Sequence, residues 1–288
     1  VRFRLAAVLL GLAVATPAGA ATADVPGASL RLVVAGSRDG RPDVGLEIAL
    51  AQGWKTYWRH PGDAGLPPVF DGSASRGLAA LAVRFPVPER FDEAGFVSIG
   101  YTRSVILPID LTPADATKPI DLDLLVHVGL CREVCVPLEA RLTATLDPAA
   151  PGDSTAARRL AEARAALPVA ATASTLPRIV AIRRHDDTTP PSVSVEVREP
   201  PSLADDAVDL LVEGPTADWA LPLPVKAMRF APPAGAEATG RWIRVWEFAL
   251  DGVPTRADTT AAALRFTLRA GSHAVEQTVG LDGSGLLP

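Results

Sequence analysis

The sequence predicts an all-β chain built from two β-sandwich units joined by a short helical linker. Three observations predict it. Apolar residues recur at every second position in short runs, proline (27) and glycine (23) separate those runs, and one stretch alone has helical character. Alternation at period two sends successive side chains to opposite faces of a strand, and turn residues between short alternating runs favour antiparallel sandwiches.

The chain opens VRFRLAAVLLGLAVATPAGA, where Arg2 and Arg4 precede the apolar run Leu5 to Ala15 and the small residues Ala18, Gly19 and Ala20 follow it. That is the plan of a secretory signal peptide over residues 1–20. The run is short of the roughly 20 apolar residues that a spanning helix needs, and no later run approaches that length. The expected mature chain is therefore exported and has no transmembrane segment. The whole chain carries 28 Lys and Arg against 33 Asp and Glu, a formal charge of −5, and loss of Arg2 and Arg4 takes it to −7. So acidic a chain argues against a nucleic-acid partner.

The first unit is expected over residues 24–150. Its alternating runs are Val44, Leu46, Ile48, Leu50; Leu81, Val83, Phe85; and Val105, Leu107, Ile109, Leu111. Trp54, Tyr57 and Trp58 could line a partner-docking surface, but they are expected in its core, as aromatic residues of sandwiches usually are. The run from Pro61 to Gly65 reads as a turn, with Asp63 as its charge. The linker, residues 151–171, holds the helix: in DSTAARRLAEARAALP, Asp153 or Ser154 caps the start and Pro168 stops the end. The second unit, residues 172–288, alternates at Val193, Val195, Val197 and at Leu264, Phe266, Leu268, with Trp219, Trp242 and Trp246 expected to pack it. Its acidic stretch ADDAVDLLVEG reads as a strand with solvated flanks. No catalytic constellation stands out there, so a docking or spacer role is expected. Each unit has the usual length of a sandwich domain.

The chemistry concentrates in VHVGLCREVCVPLEARL, which holds His127 and the chain's two cysteines, Cys131 and Cys135. Before the first cysteine Leu122, Leu124, Val126, Val128 and Leu130 are apolar, and after the second Val136, Leu138, Ala140, Leu142, Ala144 and Leu146 are. Both cysteines therefore fall on the face away from the core. Four residues of one extended strand span about 13 Å, too far for a disulfide, so Arg132, Glu133 and Val134 must form a hairpin loop that sets the cysteines opposite each other. Export would place the pair in an oxidising compartment. As a staple the bridge is weak, since a loop of about five residues yields ~2 kcal/mol in the chain-entropy model. Its position thus favours exchange chemistry over scaffolding. The pair is not of the thioredoxin type: the spacing is CxxxC, no βαβ pattern surrounds it, no helix N-terminus is at hand, and Arg132 is the nearest evident cation.

Two other readings stay open on the residues alone. His127, Cys131 and Cys135 share one face and could bind Cu(I) or zinc as a copper-tolerance module, with His60 or Glu133 as a further ligand; against this, Met228 is the only methionine. The pair could also be a structural disulfide in a binding module.

Three segments together, GWKTYWRHPGDAGLPP (53–68), RFDEAGFVSIGYTRSVILPI (90–109) and VGLCREVCVPLEARL (128–142), resemble the N-terminal periplasmic domain of the DsbD and ScsB thiol:disulfide interchange proteins. The resemblance covers the first unit, and the second is similar to the continuation found in ScsB-type ectodomains. It implies immunoglobulin-like sandwiches, a periplasmic location, and a redox pair, Cys131 and Cys135, that exchanges with periplasmic thioredoxin-like proteins. It also carries associations with cytochrome c biogenesis and copper tolerance. No organic cofactor is implied. A cap loop shields the pair in the family; its counterpart is expected at Phe91, Asp92, Glu93 and Phe96, with Phe91 or Phe96 as the covering ring, although the family's aromatic position aligns with Ala94. The best-known members have a longer cysteine spacing, a multi-helix membrane domain and a C-terminal thioredoxin domain. This chain has none of these, so a separate membrane electron donor is expected.

Overall fold

The computed structural model describes residues 22–93, 95–200, 208–230, 242–271 and 273–287. The expected signal peptide and Ala94 lie outside the described residues. The first strands are β1 (Thr22–Val25), β2 (Ala28–Arg38), β3 (Arg41–Leu50), β4 (Lys55–Gly62), β5 (Val69–Asp71), β6 (Leu78–Val83), β7 (Glu89–Glu93), β8 (Phe96–Tyr101), β9 (Val105–Pro113), β10 (Ile120–Cys131) and β11 (Cys135–Leu146). They form a five-stranded sheet in the order β1-β2-β3-β9-β6 and a six-stranded sheet in the order β11-β10-β4-β8-β7, with β5 paired to β10.

The alternating runs do what their period dictates. Val44, Leu46, Ile48, Leu107, Ile109 and Leu111 of one sheet meet Trp58, Ile99, Leu124, Val126 and Leu142 of the other in a single apolar core. Helix α1 (Ser154–Ala165) follows, with Asp153 as its N-cap accepting from the backbone N–H groups of Thr155 and Ala156. The helix is more than a tether. Ala156 and Leu160 are buried against Val33 and Ala35 of the first sandwich, and Arg164 pairs with Asp43 and Asp110.

The remaining strands are β12 (Val169–Ala170), β13 (Arg178–His185), β14 (Ser192–Glu199), β15 (Val208–Glu213), β16 (Val225–Phe230), β17 (Trp242–Ala249), β18 (Ala263–Ala270) and β19 (His273–Gly280). They make two four-stranded sheets, β12-β19-β18-β15 and β13-β14-β17-β16. Val193, Val195, Val197, Trp219 and Trp246 pack with Leu264, Phe266 and Leu268 in a second core, while Trp242 is only half-buried. The molecule is thus all-β, with immunoglobulin-like sandwiches. No helix among the described residues is long and apolar enough to cross a membrane.

The strand expected within ADDAVDLLVEG is present as β15; its flank with Asp205 and Asp206 lies outside the described residues, and the acids that are described, Asp209 and Glu213, are paired rather than solvated. Along β15, Val208, Leu210 and Val212 enter the second core, and the alternate residues turn toward the first sandwich. Leu211 joins the first core, Glu213 receives Arg59, and Asp209 receives Arg90. Both faces of the strand are therefore buried, and its acids are paired across the boundary between the sandwiches.

Candidate functional site

Strands β10 and β11 pair without a break from Ile120 opposite Leu146 to Cys131 opposite Cys135. Residues 132–134 form the connecting loop. The cysteines are joined in a disulfide with their Cα atoms 4.2 Å apart. Pairing between β10 and β4 then places Lys55 directly across from Cys131.

The segment KTYWR on β4 divides by the same period of two. Trp58 belongs to the sandwich core, whereas Lys55, Tyr57 and Arg59 share the outer face, with the cysteines. Tyr57 is 2% exposed yet lies outside that core cluster. Its hydroxyl is 2.9 Å from Cys131 Sγ and 3.0 Å from Cys135 Sγ. Disulfide sulfurs carry no proton, so the tyrosine donates. The expectation that Tyr57 is an ordinary core residue is thereby corrected, and the signal was present in the alternation of Tyr57 with Trp58.

Room for this ring comes from glycines. Gly65, at φ +129°, lies against the Tyr57 ring where any Cβ would collide with it, and a Cβ on Gly129 would lie 3.0 Å from the ring. The turn from Pro61 to Gly65 thus helps to seat the tyrosine. Asp63 is held by the backbone of β8. Its carboxylate accepts from the Val97 N–H, and its own N–H donates to the Val97 carbonyl, tying the turn to β8.

Of the two rings expected in the cap, Phe91 is the one that lies against Tyr57. Its centroid is 6.5 Å from that of Tyr57 at a tilt of 33°, and the Lys55 ammonium sits 4.9 Å above it. Cys131 is only 1% exposed, while Cys135 is exposed. Cys131 is buried even outside the sandwich core, with the Tyr57 hydroxyl at its sulfur and Lys55 opposite it on β4. The other expected cap residues are placed differently. Phe96 is 56% exposed at the cap tip, Asp92 accepts from the Gly95 N–H to close the turn, and Glu93 belongs to β7 with its side chain outside the described residues. Lys55, not only the exposed Arg132, is a cation close to the pair.

The residues of the metal reading are not gathered. His127 lies four positions from Cys131 along β10 and faces Glu139, with Nδ1 3.6 Å from its carboxylate. His60 lies in a cleft between the sandwiches, lined also by Arg59, Glu213, Trp219 and Arg265, and Glu133 is exposed in the hairpin loop. Among the described residues no three His, Cys, Asp or Glu side chains converge as a metal site.

The geometry can support thiol–disulfide exchange: one sulfur is accessible, the other is buried, and a hydroxyl stands within hydrogen-bond reach of both. Comparison with known proteins agrees. Residues 29–147 match the family described as thiol:disulfide interchange protein DsbD, N-terminal. No curated protein matches the sequence. The crystal structure of the N-terminal periplasmic domain of ScsB from Proteus mirabilis superposes with a TM-score of 0.69 at 21% identity, covering 93% of this chain and 100% of that one. That likeness extends the shared fold through the second sandwich. Over residues 29–147, then, the chain is similar to the DsbD N-terminal family.

Proposed function

We propose that the protein passes reducing equivalents in the periplasm by thiol–disulfide exchange through Cys131 and Cys135, receiving them from a separate membrane protein and delivering them to thioredoxin-like partners. The observation that carries this reading is the unequal exposure of the pair, Cys135 exposed and Cys131 buried, with the Tyr57 hydroxyl within hydrogen-bond reach of both sulfurs.

A donor thiolate attacks Cys135 Sγ, the accessible sulfur. A bond forms between donor and Cys135 as the Cys131–Cys135 bond breaks, and Cys131 leaves as a thiolate. The Tyr57 hydroxyl donates to that thiolate, which favours the charged form and makes Cys131 the better leaving group. The donor's second thiol then loses its proton and attacks the donor sulfur of the mixed disulfide, releasing Cys135. Two electrons have moved: the donor dithiol is oxidised and the pair reduced. Delivery runs in reverse. Cys135 attacks the acceptor's disulfide, and Cys131 resolves the mixed disulfide and reforms the bridge. Val134, 72% exposed in the hairpin loop beside Cys135, offers apolar surface to a partner.

Trapping tests the assignment. Cys131→Ser should accumulate a mixed disulfide with an oxidised thioredoxin-fold partner through Cys135, and Cys135→Ser should not; the opposite result overturns the roles. Equilibration of the wild-type pair with glutathione should give a potential nearer about −200 mV than the values below about −300 mV typical of structural bridges. A bridge that glutathione cannot reduce would sink the relay itself.

A further inference from the structure

Among the described residues, the side chains placed around the disulfide all belong to the first sandwich, yet the second grips both strands that carry them. We propose that it is a positioning element of the redox site, with Arg90 and Arg59 as positioning residues that hold Phe91 against Tyr57 and Tyr57 at the sulfurs. The inference rests on the exchange role assigned to the pair and adds a means by which its buried sulfur is kept buried.

Strand β7, which carries Phe91, is the edge of its sheet, and β15 is the edge of its own. An exposed edge offers unpaired backbone groups and tends to fray or recruit other strands unless something covers it. Here the two edges are bridged by one side chain. Arg90, adjacent to Phe91, donates from Nε to Asp209 Oδ2 at 2.7 Å and from a terminal nitrogen to the Leu210 carbonyl at 2.9 Å. Arg269 adds a second cation, 3.8 Å from Asp209.

The grip on β4 is heavier. Arg59 stands two residues from Tyr57 on the same face and forms a two-pronged pair with Glu213, Nε to Oε1 at 2.8 Å and the terminal nitrogen to Oε2 at 2.8 Å. Its terminal nitrogen also reaches Glu276 on β19. Paired prongs fix direction as well as distance. Between the two arginine sites Leu211 enters the first core. Asp209, Leu211 and Glu213 are alternate residues of one strand, so a single rigid element sets all three contacts.

The cover and the clamp are therefore mechanically linked. Phe91 and Arg90 are neighbours on β7, and turning β7 to lift the ring must break the bridge to Asp209 and Leu210. Likewise Tyr57 cannot leave the sulfurs by a shift of β4 without straining the Arg59 fork. The network is a conditional cover: intact, it seals Cys131; loosened, it admits reagent to it.

The test uses the full chain with Cys135→Ser, which leaves Cys131 as a lone thiol beneath its cover. Alkylation of Cys131 by iodoacetamide should quicken about tenfold on adding Asp209→Asn, the scale set by loss of one charge-assisted hydrogen bond. Asp209→Glu, which restores a carboxylate for Arg90, should return the rate toward that of the parent. The pH midpoint of alkylation should rise in Glu213→Gln, where the weakened Arg59 fork releases Tyr57 from the sulfur. Glu199→Gln is the control, because it breaks a buried pair with Arg244 inside the second sandwich and touches neither arginine of the clamp. An unchanged rate in Asp209→Asn, or an equal rise in Glu199→Gln, overturns the proposal. The milder pair Glu213→Gln and Glu213→Asp supplies the same comparison on β4 if Asp209→Asn does not fold. Failure of the relay is read separately, from the wild-type pair against a thioredoxin-fold partner, and does not alter how fast Cys131 alkylates.

Discussion

The two sandwiches solve their cores alike and use their outer faces differently. In both, alternate apolar residues fill the space between two antiparallel sheets. On the outer face of the first, β10 and β4 present Cys131, Lys55 and Tyr57, with glycines set where a larger residue would displace the tyrosine ring. On the outer face of the second, β15, β18 and β19 present Asp209, Glu213, Thr267, Arg269 and Glu276, which pair with one another and with Arg59 and Arg90. A fold of this kind does not dictate a function. The residues on the face that the core does not need decide whether it performs exchange chemistry or supports a neighbour.

The sharpest way to break the comparison is to remove the sulfurs. Cys131→Ser with Cys135→Ser should reduce exchange with a thioredoxin-fold partner to the uncatalysed background. The same variant should lose only about 2 kcal/mol of stability, as expected for so short a loop, measured by denaturant unfolding. A large stability loss with exchange intact would make the first hairpin a structural device like any other.

Next comes the boundary. Burial works against the charge of Arg59, yet Glu213 and Glu276 hold its pKa above the ordinary arginine value. Arg59→Leu leaves two carboxylates without that guanidinium and should cost about 2 kcal/mol in the denaturation midpoint, since a half-buried carboxylate is left unpaired. A neutral result would mean that the second sandwich's outer face is merely polar.

A smaller and more specific effect separates the cover from the fold. Tyr57→Phe keeps the ring against Phe91 and removes only the hydroxyl. Exchange should slow about tenfold with little change in stability, because the hydrogen bond matters most when Cys131 carries charge. Equal rates for both proteins would confine Tyr57 to packing.

The smallest effect is a pH dependence at the cleft. Burial is the largest influence on His60 and pushes its pKa below 6.5, against the opposing pull of Glu213 and Asp63 and with some help from Arg59. The unfolded histidine therefore binds a proton more readily than the folded one. Its contribution is fully present above the unfolded value of 6.5 and is lost as pH falls from there through the lowered folded value. Denaturation midpoints at about pH 7.5 and about pH 5 should differ by less than about 1 kcal/mol more in the wild type than in His60→Gln. A steeper dependence in the variant would reverse the sign.

Sequence alone determined the strands, the helix and the hairpin. The period of two in Leu122 to Leu130 and again in Val136 to Leu146 restricts the pairing to registers in which both runs face the core, and the three-residue loop between the cysteines selects the observed one. Asp153 announced the helix start because its side chain can satisfy the first free N–H groups. Alternation also placed the cysteines off the core, which suffices to single them out as chemistry. Tertiary structure decided which side chains meet, since alternation marks Tyr57 as off the core but does not name its partner. Tyr57 and Cys131 are separated by 74 residues, and Arg90 and Asp209 by 119. Nothing local marks such partners, since their meeting depends on which strands become neighbours and which edges face each other. The acids of β15 show the reason plainly. Charge by itself reads as solvated, and only the approach of a second sheet carrying Arg59 and Arg90 makes burial the more stable place for Asp209 and Glu213.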